Sequence, residues 1–119
     1  MTARSFGSFI RRRRESLRGK RAGYSLRAVA KTIEVQPSYL SKVERGLDGP
    51  PSERTILRLA RVLDVDPDVL LAMAGKVSSE LQAIIRQRPE LMSELLHELK
   101  DLPEDAVLRI VREVRDGTW

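Results

Sequence analysis

A chain of 119 residues can bury one modest core and carry a short appendage, but it cannot house two large domains. Hydrophobic residues make up 41% and aromatics only 4%, a balance that favours aliphatic helix packing over a β-sandwich and predicts an all-α fold. The sequence has no cysteine and one histidine, His97, which excludes disulfides, thiolate zinc sites and cysteine nucleophiles and leaves no metal set. The formal net charge of +5 is unevenly spread: residues 1–76 hold 16 Lys/Arg against 8 Asp/Glu, a net of +8, and residues 77–119 hold 6 against 9, a net of −3. A basic front and a mildly acidic tail predict a polyanion-binding module joined to a segment with another task. No run of about 18 apolar residues occurs, and Arg11 to Arg14 stand where a secretory signal needs an unbroken apolar stretch. A soluble cytoplasmic protein without a membrane partner is expected.

Phe6, Phe9, Ile10 and Leu17 share one face of a first predicted helix. Arg11, Arg12 and Arg14 are expected to face out, while Arg13 falls near the apolar side, where its stem can pack and its head reach water. Gly19 and Gly23 bracket a polar loop that ends this helix. Ser25 is the expected N-cap of a short second helix with Leu26, Val29, Ala30 and Ile33 inward. A third begins near Gln36-Pro37, with proline where its missing N–H costs nothing; it buries Leu40 and Val43 and stops at Gly46. After the turn-rich stretch 47–51, Ser52 caps a fourth helix with Ile56, Leu59, Ala60 and Leu63 inward. Asp66-Pro67 opens a fifth, expected to bury Val69, Leu70 and Met73. The change of charge sign at Gly75-Lys76 predicts a boundary, giving a domain over 1–75 and a helical tail over 76–119. In the tail, Leu81, Ile84 and Ile85 mark a sixth helix interrupted at Arg88-Pro89. Leu91, Met92, Leu95, Leu96 and Leu99 mark a seventh, and Val107, Ile110, Val111 and Val114 an eighth after Pro103.

The informative stretch is YSLRAVAKTIEVQPSYLSKVERG, residues 24–46. Two short helices meet across a turn at Ile33, Glu34 and Val35, and Ala30 is small where the second helix must cross closely. This is the packing of a helix-turn-helix unit, whose second helix fits a DNA major groove. The outward residues of that helix, Gln36, Ser38, Tyr39, Ser41, Lys42 and Arg45, can all hydrogen-bond.

On these residues, and on Ser25, Val29-Ala30, Ile33, Val35, the run SYLSKVERG, Pro51-Ser52, Ile56, Leu59-Ala60 and Leu63-Asp64-Val65, the chain resembles the Cro/CI-like, or XRE, family over residues 6–74. The resemblance implies a five-helix, lambda-repressor-like DNA-binding domain with its recognition helix at 36–45, bound to DNA as a dimer, and here carrying a C-terminal helical appendage. Leu26 departs from the family, standing where many members have a glutamine that touches phosphate. Glu34 replaces a usual turn glycine, and the 18–24 and 47–51 loops look longer than typical.

Position along the recognition helix suggests roles. Pro37, Ser38, Ser41 and Lys42 lie where side chains reach base edges, and Lys42 suits guanine O6/N7. Gln36, Tyr39 and Arg45, with Arg27 and Lys31 on the preceding helix, are candidates for phosphates, as are Lys20 and Arg21 in the loop. Packing for Tyr39, pairing with Glu44 for Arg45 and plain solvation for Arg27 are open alternatives. In the tail, Leu91, Leu95, Leu99, Val107, Ile110 and Val114 are the expected dimer interface, with folding back on the domain as the alternative. Glu90, Glu94 and Glu98 form a solvated stripe beside His97, and no nucleophile–base grouping or phosphate loop is visible, so neither catalysis nor a cofactor is expected. The expected function is a transcriptional regulator, most simply a repressor acting as a homodimer on double-stranded DNA. The alternative is an antitoxin-like protein whose C-terminal helices bind and neutralise a partner protein.

Overall fold

The computed structural model describes residues 3–119, with side chains from Ser5 onward. Among these residues every regular element is helical: α1 (Ala3–Arg18), α2 (Leu26–Thr32), α3 (Pro37–Glu44), α4 (Glu53–Leu63), α5 (Pro67–Met73), α6 (Ser79–Gln87), α7 (Pro89–Leu99) and α8 (Glu104–Asp116). The helix starts follow local chemistry. Ser25 Oγ accepts from the Ala28 N–H at 3.1 Å, Ser52 Oγ from Thr55 at 3.4 Å, and Asp66 Oδ1 from Asp68 and Val69 at 2.9 and 3.2 Å, each satisfying N–H groups that the first turn leaves without partners. Pro37, Pro67 and Pro89 open α3, α5 and α7.

Helices α2 to α5 share one kind of ending. Glu34, Gly46, Asp64 and Gly75 take left-handed φ values of 62°, 73°, 54° and 74°. The next residue then donates back across the last turn: Val35 to Ala30, Leu47 to Lys42, Val65 to Ala60 and Lys76 to Leu71, each at 2.9 Å. That pattern satisfies the orphan carbonyls of a helix C-terminus. Two of the four left-handed positions lack glycine, and each of those carries a surface ion pair, Glu34 with Arg58 at 2.8 Å and Asp64 with Arg21 at 3.0 Å. A left-handed residue with a Cβ costs roughly 1–2 kcal/mol, whereas a pair whose glutamate is 71% exposed contributes at most about 1 kcal/mol. Glu34→Gly is therefore expected to stabilise the protein by about 0.5–1 kcal/mol. The gain would show as a higher urea midpoint at unchanged slope.

The core draws on α1 to α5: Phe6, Ile10 and Leu17; Val29, Ala30 and Ile33; Leu40 and Val43; Ile56, Leu59, Ala60 and Leu63; Leu70 and Leu71. Helix α1 packs on α3 and α4, α2 on α3, and α4 on α5. Two expectations need correction. Val69 is 48% exposed, and Leu71 is buried instead, because α5 presents Leu70, Leu71 and the partly buried Ala74 to the core, a stripe turned by one residue from the expected Val69, Leu70 and Met73; Met73 still packs partly against it. Arg14, expected outside, is buried.

Contacts divide the chain between Leu81 and Gln82, beyond the change of charge sign at Gly75-Lys76. Lys76 Nζ donates to the Pro51 carbonyl at 2.8 Å, and the Ser79 N–H and Oγ donate to Glu53 Oε1 at 3.0 and 3.1 Å, so the segment after α5 remains tied to the first unit. None of α6, α7 and α8 contains a buried residue. Among the described residues, no helix is long and apolar enough to cross a membrane.

Candidate nucleic-acid interface

Helices α2 and α3 are joined by the turn 33–36. Ala30, fully buried, lets α3 approach, and Glu34 supplies the left-handed residue that reverses the chain. Gln36 is the N-cap residue of α3 and makes no side-chain capping bond, which leaves its amide for other partners. Leu40, Val43 and Glu44 form the buried side of α3.

On the other side, Ser38 and Lys42 are exposed and Ser41 is half-buried, with Pro37 half-buried at the start and Arg45 exposed just past the end. Ser38, Ser41, Lys42 and Arg45 are spaced by three and four residues and so lie along one face. Arg45 turns its Nε back to the Ser41 carbonyl at 3.4 Å. It does not pair with Glu44, whose carboxylate belongs to Arg14. Tyr39 is half-buried and packs against the core. Arg27 and Lys31 are exposed one turn apart on α2, and Lys20 is exposed in the loop after α1. Arg21 is exposed too, but it holds Asp64 at 3.0 Å, an interaction that raises its guanidinium above the ordinary value.

Below this surface lies a pair not anticipated from the sequence. Arg14 Nε donates to Glu44 Oε2 at 2.8 Å and its Nη2 to Oε1 at 2.9 Å, while Nη1 donates to the Tyr24 carbonyl at 3.2 Å. The two side chains are 5% and 3% exposed. The hydrogen bonds to Glu44 hold the Arg14 guanidinium above its ordinary value against the opposing effect of burial, so it stays charged at every accessible pH. The signal was present in the spacing. Phe6, Ile10, Arg14 and Leu17 form one continuous helical stripe, and Glu44 is one residue past Val43 and four past Leu40. Gly7 was also missed. It is buried on α1, and a Cβ built there would lie 2.2 Å from the Val43 carbonyl oxygen and 2.7 Å from that of Glu44. Glycine is what allows α1 to rest directly on the end of α3.

The electrostatics of the α2–α3 unit follow from these pairings. Its two carboxylates are both engaged, Glu34 by Arg58 and Glu44 by Arg14, while Arg27, Lys31, Lys42 and Arg45 are exposed. The exposed surface is basic and rich in hydrogen-bond donors, suited to a polyanion with readable edges.

Residues 5–73 match the family described as a helix-turn-helix domain. Similar proteins include the HTH-type transcriptional regulator SinR of Bacillus subtilis (strain 168), 36% identical over 73 residues, which are 56% of this chain and 66% of that protein. An uncharacterized HTH-type transcriptional regulator of Mycobacterium tuberculosis (strain ATCC 25618 / H37Rv) is 41% identical over 69 residues, 58% of this chain and 45% of that protein. The match thus spans less than two thirds of either relative. Among solved structures, a SinR protein/SinI protein complex is similar in fold, with a TM-score of 0.50 at 24% identity, covering 95% of this chain and 99% of that one.

Proposed function

The chain belongs to the helix-turn-helix domain family, and we propose that it is a sequence-specific double-stranded DNA-binding regulator that represses transcription as a homodimer on inverted-repeat operators. The observation that carries this reading is the stripe of exposed Ser38, Lys42 and Arg45 and half-buried Ser41 on a helix whose neighbouring carboxylates are both engaged in ion pairs within the chain. Pro37, Ser38, Ser41 and Lys42 read base edges in the major groove, with Lys42 on guanine. Gln36, Arg45, Arg27, Lys31 and Lys20 position the backbone. The packing of Tyr39 on the core and the ion pair of Arg21 make these two the weaker phosphate candidates.

Dimerisation is assigned to the 76–119 tail. Leu91, Leu95 and Val114 are 64%, 45% and 60% exposed, and Leu99, Val107 and Ile110 are only half-buried. An isolated small protein seldom leaves such aliphatic faces uncovered. The same faces support a second reading, an antitoxin-like capture of a partner protein, and the similar solved structure pairs SinR with SinI.

Selection of bound DNA from a random library tests the proposal. The expected product is an inverted repeat with half-sites centred about one helical turn, ~34 Å, apart or a multiple of it. An asymmetric site would overturn the symmetric dimer, and no enrichment would favour the partner-binding reading. On the selected site, Lys42→Ala is expected to cost about 1–3 kcal/mol of binding while leaving affinity for random duplex nearly intact. Equal losses on both duplexes would remove Lys42 from base reading.

A further inference from the structure

A cleft of about 190 Å³ opens beside α3, lined by Arg11, Arg14, Leu26, Ser41, Glu44 and Arg45. Its inner wall is the Arg14–Glu44 pair, in which both carboxylate oxygens are already taken by the same guanidinium, so the only carboxylate of the cleft has no remaining demand for a cation. The Leu26 side chain contributes an apolar wall that donates nothing. The polar groups that remain are the Ser41 hydroxyl and two exposed arginines, one on α1 and one at the end of α3. Each arginine is tethered through Nε alone, Arg11 to Glu15 Oε1 at 3.2 Å and Arg45 to the Ser41 carbonyl at 3.4 Å. Their terminal nitrogens are left to meet a ligand. Arg45 has no carboxylate partner and Arg11 has only an exposed ion pair with Glu15, so two guanidiniums facing one small cleft favour an anion between them. Paired arginine forks match the oxygens of a phosphate group.

The place of the cleft identifies the source of that phosphate. Pro37 to Arg45 spans about 12 Å at ~1.5 Å per residue, and the major groove is about 12 Å wide. With Pro37 to Lys42 on base edges, the far end at Arg45 therefore meets the sugar–phosphate wall of the groove. We propose that Arg11 and Arg45 clamp a single backbone phosphate of the bound duplex in this cleft. Arg11, on α1 and outside the helix-turn-helix unit, thereby becomes a positioning residue for α3. The inference rests on the DNA-binding reading above and adds to it one shared phosphate and the two side chains that hold it.

The test is the salt dependence of binding to a fluorescently labelled random-sequence duplex, measured by anisotropy between about 50 and about 200 mM KCl. Wild type is compared with Arg11→Gln, Arg45→Gln, the double variant, and Arg12→Gln, which removes the same charge from the neighbouring exposed position on α1. Arg11→Gln and Arg45→Gln should each flatten the plot of log K against log salt. The double variant should lower the slope by about 0.9 in total, the value for one neutralised phosphate, and Arg12→Gln should leave it at the wild-type value. A double variant that loses about twice that slope would place the two arginines on separate phosphates and overturn the shared clamp. Arg11→Gln behaving like Arg12→Gln would remove Arg11 from the site. Arginine Nε–H signals of Arg11 and Arg45 that shift with inorganic phosphate while the duplex slope stays unchanged would overturn the assignment to DNA. Wild type that fails to bind the duplex even at the lowest salt would overturn the DNA-binding reading itself, a result distinct from the others.

Discussion

Glu44→Ala is expected to destabilise the protein by about 3–5 kcal/mol, because it leaves the Arg14 guanidinium buried without its counter-charge. Both Glu44 oxygens take a hydrogen bond from Arg14, and only the Tyr24 carbonyl would remain as a partner. A domain of this size has a total stability of only about 5–15 kcal/mol, so the loss is a large fraction of the whole. Thermal and urea unfolding of the variant measure it. The paired replacement Arg14→Met with Glu44→Leu separates the pair's net contribution from the damage done by orphaning one charge. It is expected to recover most of the stability, since buried ion pairs replaced by apolar side chains of similar volume are often neutral or better. A single variant as stable as wild type would show that water reaches Arg14. A double variant no better than Glu44→Ala would show that the pair supports packing that apolar groups cannot reproduce.

Gly7→Ala is expected to cost about 2–3 kcal/mol, toward the upper end of overpacking penalties, even though alanine is the better helix former by about 1 kcal/mol. The added methyl would meet main-chain oxygens of α3 at 2.2 and 2.7 Å. Backbone at the end of a helix cannot swing aside as a long side chain can, so α1 and α3 must separate. Since α3 carries Ser38, Ser41 and Lys42, affinity for the selected operator should fall together with stability. Unfolding and anisotropy on the same preparation give both numbers. A stable Gly7→Ala protein with wild-type DNA affinity would show that α1 can slide along α3 without disturbing it.

Much of the molecule was legible in local chemistry. Ser25, Ser52 and Asp66 cap helices because a short side-chain oxygen at that point satisfies free N–H groups whatever lies elsewhere in the chain. Apolar spacing of three and four residues marked the inward faces of α2, α3 and α4 for the same reason, since helix periodicity is a property of the segment alone. The run SYLSKVERG placed the exposed helix, and Glu34 pointed to an unusual turn that is observed at a φ of 62°.

The tertiary structure decided what depends on which segments meet. Arginine on an apolar stripe either snorkels to water or is buried with a partner, and only the approach of α3 to α1, thirty residues away, chose burial for Arg14 and thereby took Glu44 from Arg45. Gly7 reads as a weak point in a helix until the carbonyls of Val43 and Glu44 arrive above it. The rotation of α5 that buries Leu71 in place of Val69 was set by the surface it packs on, because a short helix with apolar residues at 69, 70, 71 and 73 offers two stripes of similar hydrophobicity. The sequence alone determined the helices, their caps and the basic, donor-rich face of α3, each encoded within a few residues. Long-range packing alone decided the Arg14–Glu44 pair, the close crossing at Gly7 and the cleft between Arg11 and Arg45, because each joins groups whose separation along the chain carries no periodic signal.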